Sequence, residues 1–304
     1  MIEGQEGVTW EDWCALADAC EAHGVEALFR SDHYISGFDE GRPVLDAWTT
    51  IAGLAARTTT LQLGTLVSPV TFRQPAVLAR SAATAYEISG GRVTLGIGAG
   101  WMEREHAAYG FDFATASDRV ARLAEQVEIV HRLLREERVD FAGEHYRLED
   151  APGLHRPELP ILVGGSAKRG TTQPAVRFAD EYNTFFATTD EARERKANLD
   201  KACEQAGRDP ATLRYSLMAP CVVGEDEASL RESARRVGAC FGREADDVLE
   251  RYGERGPVGT IDAVIERLKE IEEIGYERVM LQHLAHDDLE TVALIGRELV
   301  PAVA

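Results

Sequence analysis

Along this chain, stretches in which apolar residues return every three or four positions alternate with short unbroken apolar runs. That is the pattern of amphipathic helices set between buried strands. Between Thr9 and His23, residues Trp13, Leu16, Ala17 and Cys20 share one helical face, and Glu11, Asp12, Asp18 and Glu21 lie on the others. Thr9 suits the N-cap, Val8 can pack on Trp13 as a hydrophobic staple, and Gly24 suits a left-handed exit. A short strand at residues 27–30 follows. The alternation then repeats: a helix near 47–57 and a strand at 61–67, a helix opened by Pro75 and closed at Gly90–Gly91, then a strand at 93–98. A longer helix over 117–136 carries Val120, Leu123, Val127 and Val130 on one face. Residues 138–148 read as a β-hairpin insertion turning at Gly143. Strands follow at 160–163, 181–185 and 214–223, each with a helix after it. Thr260 opens a helix with Val264, Leu268 and Ile271 inward. A strand at 278–282 and a helix at 287–299 complete the pattern.

Such alternation requires parallel strands joined by crossover helices. Counting from Ala27 gives seven strands, and a closed barrel needs eight. The expectation is an α/β fold, a (β/α)8 TIM-like barrel in a single domain over residues 1–304. Its first strand is either very short or truncated, with Met1–Ile2 as its tail. No Pro/Gly/Ser-rich linker divides the chain.

With 44% hydrophobic and 28% charged residues, the composition is that of a globular protein. The formal net charge of −19 repels nucleic acid and anionic lipid, and no basic run offsets it. Five scattered cysteines without a C-x-x-C spacing read as reduced and structural. No secretory signal or membrane-spanning run is evident, so the expected location is cytoplasmic. The expected partners are a small-molecule substrate and a second copy of the chain in a homodimer.

In a parallel barrel, chemistry sits at the carboxyl ends of the strands. That singles out Glu3, Ser31–Asp32–His33, Leu66–Val67–Ser68, Gly98–Ala99–Gly100–Trp101, Gly164–Gly165–Ser166, Met218–Ala219 and Gln282–His283. The glycines of Gly96–Gly100 miss the dinucleotide spacing by one residue; their expected use is to let a planar ligand lie against the backbone. Gly164–Gly165–Ser166, with Lys168, Arg169, Thr171 and Thr172 ahead of a helix, is a Gly-rich turn whose free N–H groups suit a phosphate. An ordinary strand-to-helix turn is the other reading. His33 has the neutral-range titration expected of an acid–base group. His283, His286 and Asp287 lack the further ligands a metal site needs, and no metal is expected. Glu103 and Glu105 read as a solvated turn, the alternative being that one of them reaches the pocket.

The runs Gly24–His33, Leu63–Arg73 with Pro75, and Ser89–Trp101 resemble those of the bacterial luciferase-like flavin oxidoreductases, and the likeness continues through Ile161–Gly165 to Asp287–Glu290. Within that superfamily the chain is most similar to the coenzyme F420-dependent oxidoreductase branch. The resemblance implies a flavoprotein-like barrel that binds coenzyme F420, with FMN as the alternative cofactor. It further implies a cis peptide at Leu66–Val67 in a bulge behind the cofactor ring. Leu66, Val67, Gly98, Ala99, Gly100, Gly164, Gly165, Ser166, Lys168 and Thr171 would contact the cofactor. Asp32 and His33 would line the reaction face as catalytic residues. The activity implied is hydride transfer between reduced coenzyme F420 and a small organic substrate; the alternatives are an FMN-dependent monooxygenase and a non-catalytic flavin-binding protein. The sugar-phosphate dehydrogenases of the superfamily carry a catalytic Glu where this chain has Trp101. Lys168, Arg169 and Arg73 are the cations expected to meet an anionic cofactor.

Overall fold

A computed structural model describes residues 1–303. Seven parallel strands form the barrel wall: β1 (Ala27–Arg30), β2 (Gln62–Thr65), β3 (Val93–Gly98), β4 (Ile161–Gly164), β5 (Glu181–Phe185), β6 (Arg214–Gly224) and β7 (Arg278–His283). They neighbour one another in chain order, β1 through β7, with in-register pairs such as Phe29↔Gly64, Ile97↔Val163, Asn183↔Ser216 and Met280↔Met218. All seven strands expected from the sequence are present.

The eighth position is held by two residues. Ile2 donates to the Phe29 carbonyl and accepts from the Ser31 N–H, at 2.9 and 3.1 Å. Met1 donates to the Leu281 carbonyl at 2.8 Å and accepts from the His283 N–H at 3.0 Å. Met1–Ile2 thus bridges β1 and β7 at the carboxyl end of the wall, with the Ile2–Arg30 bridge parallel.

Helix Trp10–His23 shows how sequence sets these elements. Thr9 and Asp12 form a reciprocal capping box, Gly24 exits at φ +76°, and Trp13, Leu16, Ala17 and Cys20 are buried. Each large apolar side chain so buried contributes about 1.5–3 kcal/mol, and Val8 joins Trp13 in the same core. The main core lies between barrel and helices, where Leu63, Leu95 and Ile97 meet Leu78, Leu123 and Val127. A smaller cluster of Met1, Phe29, Leu66, Leu162 and Met280 packs together separately, with Val67 and Met218 against it.

The hairpin insertion is present as Arg138–Ala142 paired antiparallel with Arg147–Pro152. Glu125, on helix Ala116–Arg135, holds its turn by accepting from the N–H groups of Glu144, His145 and Tyr146 at 2.7–3.1 Å. One local expectation is corrected and two are refined. Residues 103–109 form a helix, not a solvated turn. The last helix runs Leu289–Leu294 and continues as a wider turn over Ile295–Leu299. Thr260 occupies the N-cap of helix Ile261–Ile274 without a side-chain bond to it.

Candidate active site

The carboxyl ends of the strands gather most of the singled-out residues. His33 follows β1 and is 9% exposed. Its Nδ1 lies 2.8 Å from Glu105 Oε1, and Glu105 Oε2 accepts the Tyr34 N–H at 3.0 Å. Glu105 itself has no exposed surface. Burial pulls the imidazole pKa down, but the Glu105 hydrogen bond and charge more than reverse this, so His33 titrates above its ordinary range. With Nδ1 engaged by a carboxylate, Nε2 is the nitrogen left for a reacting proton; it makes no hydrogen bond within the described residues. The Trp101 ring meets the His33 ring edge to face at 5.5 Å and is 69% exposed.

Glu105 is the residue sequence reasoning missed. Its signal was available: Met102, Glu105, His106 and Tyr109 have the i, i+3, i+4, i+7 spacing of one helical face. Helix Glu103–Tyr109 turns Glu105 and His106 fully inward. His106 is locked between the Met102 carbonyl at 2.7 Å and Thr71 Oγ1 at 2.6 Å.

Asp32 sits elsewhere than expected. It does not face the mouth; its carboxylate accepts from Ser68 Oγ at 2.7 Å and Arg73 Nη1 at 2.6 Å, and it is 1% exposed. Ser68 in turn accepts from Trp48 Nε1 at 3.0 Å. Arg73 is consumed in the same cluster, bridging Asp32 and Asp46 and donating to Tyr34 Oη. Burial lowers the Arg73 pKa, but Asp32, Tyr34 and Asp46 together outweigh it and keep the guanidinium protonated. The Ser68 hydroxyl and the Arg73 guanidinium hold the Asp32 carboxylate beside the loop that carries His33. For the same reason Arg73 is not a free cation for an anionic ligand.

The peptide Leu66–Val67 is cis. It places the Val67 side chain against the ends of β3 and β4. A Cβ built on Gly98 would lie 2.4 Å from Val67 Cγ2, and one on Gly164 would lie 3.0 Å from Val67 Cγ1. These two glycines therefore make room for Val67, which differs from the expected contact with a planar ligand alone. Ala99 and Gly100 continue from β3, half-buried, with Gly100 at φ +79°.

Past β4, the Gly165 N–H donates to the Asn183 carbonyl, and the Ala167 N–H to Tyr182 Oη, both at 2.9 Å. Thr171 Oγ1 lies 2.7 Å from the same Tyr182 Oη. A Cβ on Gly165 would fall 2.5 Å from that hydroxyl, so the loop is drawn down onto Tyr182. Lys168 then occupies the N-cap of helix Arg169–Phe178 with no side-chain cap. The N–H groups of Thr171 and Thr172 donate to the Lys168 carbonyl at 3.0 and 3.1 Å, which leaves those of Arg169 and Gly170 beside half-exposed Ser166 and exposed Lys168 and Arg169. This is a positively polarised edge on an acidic protein.

On the far side, Glu3 accepts from Gln282 Nε2 at 2.5 Å and from Gln5 Nε2 at 2.9 Å. Gln282 Oε1 is buried without a partner. Met218, on β6, is half-buried, and Ala219 beside it is buried in the wall. His283 is buried against the Asp288 carbonyl, and burial lowers its pKa to about 4. His286 instead lies 3.7 Å from Asp12, so the two do not converge. Among the described residues no group of three His, Cys, Asp or Glu comes together as a metal site would require.

The glycine-backed Val67 bulge, the uncapped helix N-terminus with its two cations, and the His33–Glu105 pair ring one barrel mouth. That arrangement fits a phosphate-bearing planar cofactor. Relatives of the whole chain are known. The chain is 29% identical over 308 residues to a "F420-dependent glucose-6-phosphate dehydrogenase" from Microbacterium testaceum, covering 92% of this chain and 90% of the relative. It is 30% identical over 220 residues, covering 71% and 60%, to a "F420-dependent hydroxymycolic acid dehydrogenase" from Mycobacterium tuberculosis. The fold superposes on a solved F420-dependent secondary alcohol dehydrogenase, in complex with an F420–acetone adduct, with a TM-score of 0.81 at 20% identity, covering 98% and 96%. Residues 2–278 match the family model of the luciferase-like monooxygenases, and the chain belongs to that family.

Proposed function

We propose that this protein is an oxidoreductase that moves a hydride between coenzyme F420 and a small organic substrate, with His33 as the group that carries the matching proton. The observation that supports this most directly is the His33–Glu105 pair at the barrel mouth, in a chain similar over nine-tenths of its length to an F420-dependent enzyme.

When bound, coenzyme F420 supplies or takes up a hydride at C5 of its deazaflavin ring. The protein does the rest. Gly164, Gly165, Ser166, Lys168 and Thr171 would hold the phosphate at the helix N-terminus. Leu66, Val67, Gly98, Ala99 and Gly100 would back the ring. Glu105 fixes the His33 ring and keeps Nδ1 protonated, so that Nε2 faces the substrate. In reduction, His33 Nε2 would give a proton to the atom bonded to the carbon that is reduced; in oxidation it would take that proton back. Trp101 walls the space beside His33 with an apolar ring where sugar-phosphate dehydrogenases carry a carboxylate, which argues for a different substrate from theirs.

Parallel titration of the purified protein with coenzyme F420 and FMN tests the reading. Saturable binding of F420, tighter than FMN, is expected. Tighter FMN binding with oxygen-dependent turnover would make it a monooxygenase. Binding without turnover against any panel of alcohols, aldehydes and enones would make it a carrier.

A further inference from the structure

Three carboxylates act on His33. Burial lowers its pKa, and Glu105 first, then Glu3, then Asp32 raise it. Two of the three are already spent. Glu105 holds the His33 ring and the Tyr34 N–H, and Asp32 holds Arg73 and Ser68. Glu3 has only neutral side-chain partners. Its Oε1 accepts from Gln282 Nε2 at 2.5 Å and its Oε2 from Gln5 Nε2 at 2.9 Å. No Lys, Arg or His pairs with it among the described residues, and it is half-buried.

The fold places Glu3 at the mouth. Ile161 and Val163, on either side of Leu162, pack under the helices, as does Ile2 after Met1. The cluster of Met1, Phe29, Leu162 and Met280 therefore fills the inside of the barrel. Alternate residues of an extended segment share a face, so Glu3 and Gln282 follow Met1 and Met280 inward, one layer nearer the carboxyl end. The amides around Glu3 are fixed. Ser31 Oγ accepts the Gly4 N–H at 2.9 Å and donates to Gln5 Oε1 at 2.5 Å, which turns Gln5 Nε2 toward Glu3. Gln282 also turns Nε2 to Glu3, although its own Oε1 is then buried without a partner. Turned over, that oxygen would meet a carboxylate. A carboxylate offers about four lone-pair sites, and the amides use two. What remains is an oriented acceptor with no ion-pair partner.

We propose that Glu3 selects the substrate: it takes a second hydrogen-bond donor, a hydroxyl or an ammonium, on a molecule without negative charge. This rests on the reading that His33 exchanges a proton with the substrate's reacting group. A fixed carboxylate without a counter-ion attracts a donor and repels an anion, so it discriminates in both directions. Trp101, which meets the His33 ring, brings no cation to offset it.

Four secondary alcohols that differ in one substituent test the assignment: isopropanolamine, propylene glycol, isopropanol and lactate. Each is titrated into the intact protein with reduced coenzyme F420 present, so that it binds without being oxidised. Binding is read from the ring signal of isotope-labelled His33, assigned by its loss in His33→Asn. In the parent, isopropanolamine and propylene glycol should bind about tenfold tighter than isopropanol, and lactate should bind weakest. Glu3→Gln should remove the advantage of the first two and admit lactate, whereas Glu3→Asp, which keeps the charge, should still reject lactate. His33 should also titrate at lower pH in Glu3→Gln than in the parent, and near the parent value in Glu3→Asp. The same ranking of the four alcohols in parent and Glu3→Gln, no ranking in the parent, or an unchanged His33 titration in Glu3→Gln would each overturn the assignment. Failure of the oxidoreductase reading would look different: the ranking would hold, but no bound alcohol would reduce oxidised F420.

Discussion

At the residue scale the decisive pair is His33 and Glu105. The pair raises the His33 pKa, so the stability it contributes is complete below the unfolded value near 6.5 and is lost as pH rises through the folded value. Catalysis follows the same group. Reduction needs protonated His33 and should fall as pH rises through its pKa; oxidation needs the neutral ring and should rise. Replacing Glu105 by Gln removes the charge that holds the pKa up, so both limbs should move to lower pH. His33→Asn should cost about 10²–10⁴-fold in kcat, abolish the limb, and leave coenzyme F420 affinity nearly unchanged. A kcat–pH profile of both variants beside the parent checks this. A limb that stays in place in His33→Asn would assign the proton to another group.

At the scale of elements, the site depends on how each strand end passes into the next helix. The loop after β4 is pulled onto Tyr182, which leaves Lys168 and the N-terminus of helix Arg169–Phe178 facing out without a cap. A helix N-terminus and a cation acting together favour an anion more than either alone. Lys168→Glu should therefore weaken coenzyme F420 several-fold at low ionic strength, and added salt should reduce the difference from the parent. FMN should be hurt equally if Lys168 meets the phosphate and less if it meets the glutamate tail that FMN lacks. Unchanged F420 affinity in a direct titration would move the anionic end of the cofactor elsewhere. With Arg73 held by Asp32 and Asp46, it cannot substitute for Lys168.

At the scale of the whole molecule, 52 acidic residues face 33 basic ones. Many of the exposed arginines are already paired with carboxylates, as Arg138 is with Asp150 and Arg235 with Glu232. Such pairs are worth little individually, and the surplus acids repel one another. The melting temperature should rise by a few degrees between low and moderate NaCl, as screening relieves that repulsion. A melting temperature flat or falling over that range would show that local pairing already compensates the excess.

The sequence by itself determined the alternation of helices and strands, and with it the parallel barrel. Period 3.6 at Trp13–Cys20 and unbroken apolar runs at β3 and β4 are local facts, set by which side chains must leave water. His33 and the glycine turns were legible for the same reason, since strand ends define the mouth of any such barrel. Tertiary structure alone decided which charged groups face each other. Asp32 and His33 are adjacent in sequence yet point to different partners, Arg73 and Glu105, 41 and 72 residues away. Nothing local fixes such long-range pairing. It also decided that Gly98 and Gly164 serve Val67, a contact created by three strand ends meeting, and that Met1 and Ile2 bond to β1 and β7 at the carboxyl end of the wall. Hydrophobic periodicity is written into neighbouring residues; the pairing of buried charges is settled only when distant segments enclose them together.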